Sequence, residues 1–152
     1  MNRYLKLIEN KRQKLLDLTK NLTVEQYNFI PNGFNNNIIW NMGHLLSVSE
    51  RILYEESGLQ PPAHSISLAM FNKGTKPEKV LKEEEIAYIR DLMLESVRFL
   101  EKCEPAIPET GSNDYQSSET NTKLMEFVLF HEEYHYCKTV DFLRNIHQLR
   151  YL

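Results

Sequence analysis

Two histidines, His131 and His135, stand four residues apart in a long amphipathic segment, and a third, His44, lies far upstream in another apolar segment. Residues i and i+4 share one face of an α-helix, so the pair can aim both rings at a common point. One more imidazole from a facing helix would complete a three-nitrogen metal site with an open position. Three protein ligands plus a water is the arrangement of catalytic zinc centres, whereas structural sites close all four positions. Three neutral imidazoles would leave the full +2 charge on the ion. That charge acidifies a water for hydrolysis or a thiol for nucleophilic transfer at the same position. Imidazole ligands suit zinc, nickel, iron or copper, so the metal itself stays open.

Plainer readings compete. A lone histidine on an apolar face is usually a core residue satisfied by hydrogen bonds, and His44 by itself reads that way. The pair reads differently, because two imidazoles facing one apolar interior need a common partner. His64, in a Pro-rich stretch, and His147, near the C-terminal end, read as solvated. Cys137 and Cys103 read as buried packing residues. Trp40, one turn before His44, reads as core that could also wall a pocket, and Tyr134 could bring its hydroxyl near a metal.

His131-Glu132-Glu133-Tyr134-His135 is also literally H-E-x-x-H, the metalloprotease signature in which the glutamate is the general base. Context argues against it. Only 17 residues follow His135, and the extended form of the motif would need Gly and His where Lys138 and Asp141 stand. Glu132 lies about 100° around the helix from His131 and is expected to orient a neighbouring group. No catalytic side chain can be assigned from the sequence.

The elements that would position these groups are helical. Leu5, Ile8, Leu15 and Leu22 mark an amphipathic helix over about residues 2–20. Thr23-Val24-Glu25-Gln26 is a capping box that starts a short helical turn, and Pro31-Asn32-Gly33 ends it. A second long helix is expected from about Asn37 to Ser57, apolar nearly all round and so more buried, with Gly58 as its C′ residue. Gly43, beside His44, leaves room for a close neighbour. Residues 59–80 form a long connection that is either functional or a cover for the bundle.

The third helix has the clearest period, Ile86, Ile89, Met93, Val97 and Leu100, and the acidic run Glu83-Glu84-Glu85 suits its N-terminal dipole. A second loop is expected at about residues 105–121. The fourth helix should run from about Thr122 to Ile146 with Leu124, Phe127, Val128, His131, His135, Phe142 and Ile146 facing inward. The fold class is therefore all-α, a four-helix bundle with long connecting loops, in one domain over residues 1–152.

Several pieces together resemble the DinB/YfiT superfamily. Asn37-Ile38-Ile39-Trp40-Asn41-Met42-Gly43-His44-Leu45 is similar to its pattern ending in a metal-binding histidine on the second helix. Phe71-Asn72-Lys73-Gly74-Thr75-Lys76-Pro77 is similar to its F-x-x-G-x-x-P loop. His131-Glu132-Glu133-Tyr134-His135 resembles its C-terminal motif, and Phe142-Leu143-Arg144 the ending that follows. The resemblance implies a bundle with a divalent metal (Zn, Ni or Fe) on His44, His131 and His135, often in a homodimer. It also implies transferases or isomerases that use low-molecular-weight thiols such as bacillithiol or mycothiol. No residue here identifies a thiol pocket, so the thiol rests on the resemblance alone.

Composition bounds the partners. The 152 residues carry a net charge of -3, with no basic footprint for nucleic acid. No apolar run approaches the roughly 18 residues of a membrane span. Two cysteines are too few for a secreted disulfide framework, and the N-terminus lacks a signal-peptide core. The expectation is a cytoplasmic protein with a small-molecule substrate. Its activity would be metal-dependent thiol transfer or hydrolysis, unless the metal serves only to stabilise the bundle.

Overall fold

The computed structural model describes residues 3–55, 58–102 and 115–146. Among these residues the regular structure is entirely helical, with no strand. Helix α1 is Arg3–Thr19, α2 is Val24–Asn28, α3 is Ile38–Glu50, α4 is Glu83–Lys102 and α5 is Tyr115–Ile146. Helices α1 and α3 lie diagonally opposite, each packed against both α4 and α5, which is the cross-section of a four-helix bundle. No helix of the described residues is long and apolar enough to cross a membrane.

Local chemistry explains the boundaries. The capping box forms as its residues dictate: the Thr23 hydroxyl accepts from the Gln26 amide, and the Gln26 side chain accepts from Thr23 N–H. Asn37 caps α3 by accepting from the Trp40 amide. At the end of α1, Arg90 from α4 donates to the Leu16 carbonyl and the Thr19 hydroxyl, and Tyr27 donates to the Thr19 carbonyl. These bonds satisfy carbonyls that a helix C-terminus leaves without partners.

Three expectations, two about boundaries and one about facing, need correction. The second long helix does not run to Ser57 as one α-helix: α3 ends at Glu50 and Arg51–Glu55 continue as a π-helix. Gly58 then takes a left-handed φ of 68°, and Leu59 N–H bonds back to the Tyr54 carbonyl. The fourth helix starts at Tyr115 rather than near Thr122. The Ser, Thr and Asn residues that suggested a loop cost at most about 0.7 kcal/mol each in a helix, so they do not by themselves exclude one. The remainder of that expected loop, through residue 114, lies outside the described residues. Finally, Phe127 does not face inward; it is exposed.

The core falls into two apolar clusters. One joins Leu15 and Leu16 of α1 with Ile39, Met42, Leu45, Ile89, Met93, Phe142 and Ile146. The other joins Leu5 and Ile8 with Leu53, Tyr54, Val97, Leu100 and Val128. The long connection after Gly58 covers α3: its short 3₁₀ helix, Leu68–Phe71, buries Phe71 against Gly43. A Cβ at Gly43 would meet the Phe71 ring at 2.5 Å, so the space left by this glycine is filled by that ring.

Candidate metal centre

Helix α3 is buried on nearly every side, which carries His44 into the interior, and the inward stripe of α5 carries His131 and His135 toward it. Their imidazoles converge. His131 Nε2 lies 3.3 Å from His44 Nε2 and 3.1 Å from His135 Nε2. Among the described residues no fourth His, Cys, Asp or Glu joins the cluster.

Each outer nitrogen of the two buried rings is anchored. His44 Nδ1 is 2.7 Å from the Phe71 carbonyl, an acceptor only, so Nδ1 carries the proton and Nε2 presents a lone pair. His135 Nδ1 is 2.7 Å from Asn41 Oδ1. The Asn41 amide nitrogen donates to the Asn37 carbonyl and to Asn36 Oδ1, which places its oxygen toward His135. His135 therefore also donates from Nδ1 and turns its Nε2 lone pair inward. Outer anchors of this kind fix the tautomer and aim of metal-binding histidines. The two inward lone pairs converge on His131 Nε2, which either donates one proton between them or adds a third lone pair around a cation. The donor set fits a divalent ion.

Aromatic rings pack on all three imidazoles. Trp40 stacks on His44 with centroids 4.7 Å apart, Phe127 stacks on His131 at 5.7 Å, and Tyr134 meets His135 edge-on at 5.0 Å. His44 and His135 are buried, but His131 is partly exposed, and Phe127 and Tyr134 are 47% and 49% exposed. The cluster thus meets solvent on the α5 side. Burial lowers the His44 pKa. Burial, helped by the neighbouring His44 and Arg12, lowers His131 to about 4. Burial, with His131, His44 and Lys138 nearby, lowers His135 to about 3. At neutral pH both α5 imidazoles are uncharged, the form that binds a metal.

Glu132 does not serve this centre as a base. Its carboxylate is buried against Arg12, with Oε1 accepting from Nε at 2.9 Å and from an Nη at 2.7 Å. Burial raises its pKa, and the guanidinium beside it opposes that shift. The H-E-x-x-H spacing thus lacks the general base a metalloprotease requires, in agreement with the sequence context.

Other expectations fail. Cys137 is exposed, because two residues past His135 is about 200° around the helix and points away from the core. His64 is not solvated: its Nε2 lies 2.7 Å from Glu50, and its Nδ1 3.3 Å from the Tyr88 hydroxyl, pinning the long connection to α3 and α4. His147 and Cys103 lie outside the described residues. Asn41 and Arg12 were missed as supporting residues, although both sit at helical spacing within apolar stripes. Asn41 is three residues before His44, and Arg12 falls between Ile8 and Leu15. The Phe71 carbonyl had no such signal, since a backbone oxygen has no residue type.

Fold and site together define an all-helical bundle whose core holds a three-histidine cluster able to take a metal ion. The chain belongs to the DinB superfamily, whose sequence model matches residues 7–137. No curated protein and no solved structure matches it significantly.

Proposed function

We propose that His44, His131 and His135 hold one divalent metal and that the protein is a metal-dependent enzyme acting on a small molecule, as a thiol-dependent transferase. The observation that carries the metal reading is the convergence of three Nε2 atoms, two of them on rings whose Nδ1 protons are bound by Phe71 and Asn41. The absence of a fourth His, Cys, Asp or Glu among the described residues favours an open position over a closed structural site. A divalent ion there supplies Lewis acidity, which favours the deprotonated form of a thiol or water at neutral pH.

The chain's own residues prepare that step. Phe71 and Asn41 hold the ligand rings in one tautomer, burial keeps them uncharged, and Trp40 covers the inner side of His44. Phe127 and Tyr134 border the solvent-facing side, where an apolar electrophile would approach. In the transfer reaction the thiol would lose its proton to solvent water, its sulfur would bond to the electrophilic carbon, and the leaving group would depart with the electron pair of the broken bond. The thiol cosubstrate is proposed from the resemblance to thiol-using members of the superfamily, and hydrolysis would use the same open position.

Metal analysis of the purified protein, followed by assays with several low-molecular-weight thiols and electrophiles, tests the reading. About one divalent ion per chain and metal-dependent thiol consumption are expected. Metal-loaded protein that transfers no thiol but cleaves esters, amides or halides would move the reading to a hydrolase. If metal removal lowers only the melting temperature, the ion is structural.

A further inference from the structure

We infer that Arg12 is a positioning residue for the three-histidine centre, acting as the hub of a polar layer that sets the register of α3 against α5; this rests on the metal reading above. Arg12 is 1% exposed, and all five of its N–H groups are bonded. Nε and Nη2 donate to Glu132 Oε1 of α5 at 2.9 and 2.7 Å, and Nη2 also donates to Ser49 Oγ of α3 at 2.7 Å. Nη1 donates to the Met93 carbonyl and to Ser96 Oγ of α4 at 3.1 and 2.8 Å. One side chain from α1 thereby bonds each of the other three bundle helices.

The layer lies between the two apolar clusters. On α1, Arg12 separates Ile8 from Leu15; Ser49 of α3 separates Leu46 from Leu53 of the π-helix that follows; on α4, Ser96 separates Met93 from Val97; on α5, Glu132 separates Val128 from Phe142. Apolar burial has no direction, so it specifies register less sharply than hydrogen bonds do. A buried guanidinium specifies it sharply, since any shift that leaves Arg12 or Glu132 without partners carries the full cost of an unpaired buried charge. Replacing such a pair by apolar residues of similar size is often neutral or stabilising, so overall stability is a weak explanation for its presence, whereas registry is a documented use of buried polar groups. What the register aligns here is specific. Glu132 adjoins the ligand His131, and Ser49 lies on the helix that carries His44. The Arg12 guanidinium therefore bridges the two helices that carry the clustered histidines.

The test uses the full chain and Co(II), whose absorption reports ligand geometry. Arg12→Lys keeps a cation beside Glu132 but loses the fork; Arg12→Met/Glu132→Leu replaces the pair with apolar residues. Both are expected to keep the helical content and, for the double variant, the melting temperature. Both should bind Co(II) about 10- to 100-fold more weakly with an altered visible spectrum, the range seen when supporting partners of ligands are lost. A second readout needs no metal: imidazole nitrogen-15 shifts should show fixed Nδ1–H tautomers for His44 and His135 in wild type and averaged ones in the variants. Variants with the wild-type spectrum, affinity and tautomers overturn the inference. If the double variant does not fold, Arg12→Lys decides alone. Wild type that binds no Co(II) sinks the metal reading, while the nitrogen-15 comparison still decides whether Arg12 positions the rings.

Discussion

His135 donates its Nδ1 proton to Asn41 Oδ1 across 2.7 Å, and Asn41 can accept because its amide nitrogen is engaged by the Asn37 carbonyl and Asn36. A clustered histidine on α5 is thus aimed by the residue one turn before the clustered histidine on α3. Replacing Asn41 with Ala should weaken metal binding by about 10- to 100-fold while leaving the three histidines in place. Asn41→Asp, which still accepts, should retain affinity. Competition titration with a chelator measures both, and equal affinity for wild type and Asn41→Ala would contradict the anchoring role.

His135→Ala should remove metal and activity together, with the far-ultraviolet circular dichroism largely unchanged. Cys137→Ser should change neither, because that exposed side chain lies off the inward face. Loss of metal in Cys137→Ser would show that the ligand set is misassigned.

Gly43→Ala should be damaging for a residue with no side chain of its own. The added Cβ would sit 2.5 Å from the Phe71 ring, and Phe71 supplies the carbonyl that holds His44. Overpacking of this kind costs about 1–3 kcal/mol. The urea midpoint should fall and metal affinity should fall with it. A variant of unchanged stability would mean that the 3₁₀ segment moves aside freely.

The metal-stripped protein should lose stability as pH falls below about 6.5, the ordinary histidine value. Unfolded histidines take up protons there, whereas folded His131 and His135 remain neutral down to about 4 and about 3. The unfolded state then binds more protons, so stability rises with pH across this window and the histidine effect vanishes above it. Urea midpoints between pH 7 and 5 measure the slope, since carboxylates contribute mainly below that. The same slope in a His131→Ala/His135→Ala variant would remove the histidines as its cause.

The sequence alone determined the helical periods, the pairing of His131 with His135 and the capping box at Thr23, because each depends on residues within a turn or two of one another. The stripe of α4 was legible for the same reason: Ile86, Ile89, Met93, Val97 and Leu100 are all buried. Tertiary structure alone decided what each face meets. Phe127 lies one turn before His131 yet is exposed, since periodicity defines a stripe without saying how wide the neighbouring helices cover it. The start of α5 escaped for a related reason: a polar run fits a loop or a solvated helix end equally well. The supports of the site span long separations, from Phe71 to His44 and from Arg12 to Glu132. Such partners follow from the path of the backbone, and no local spacing encodes them.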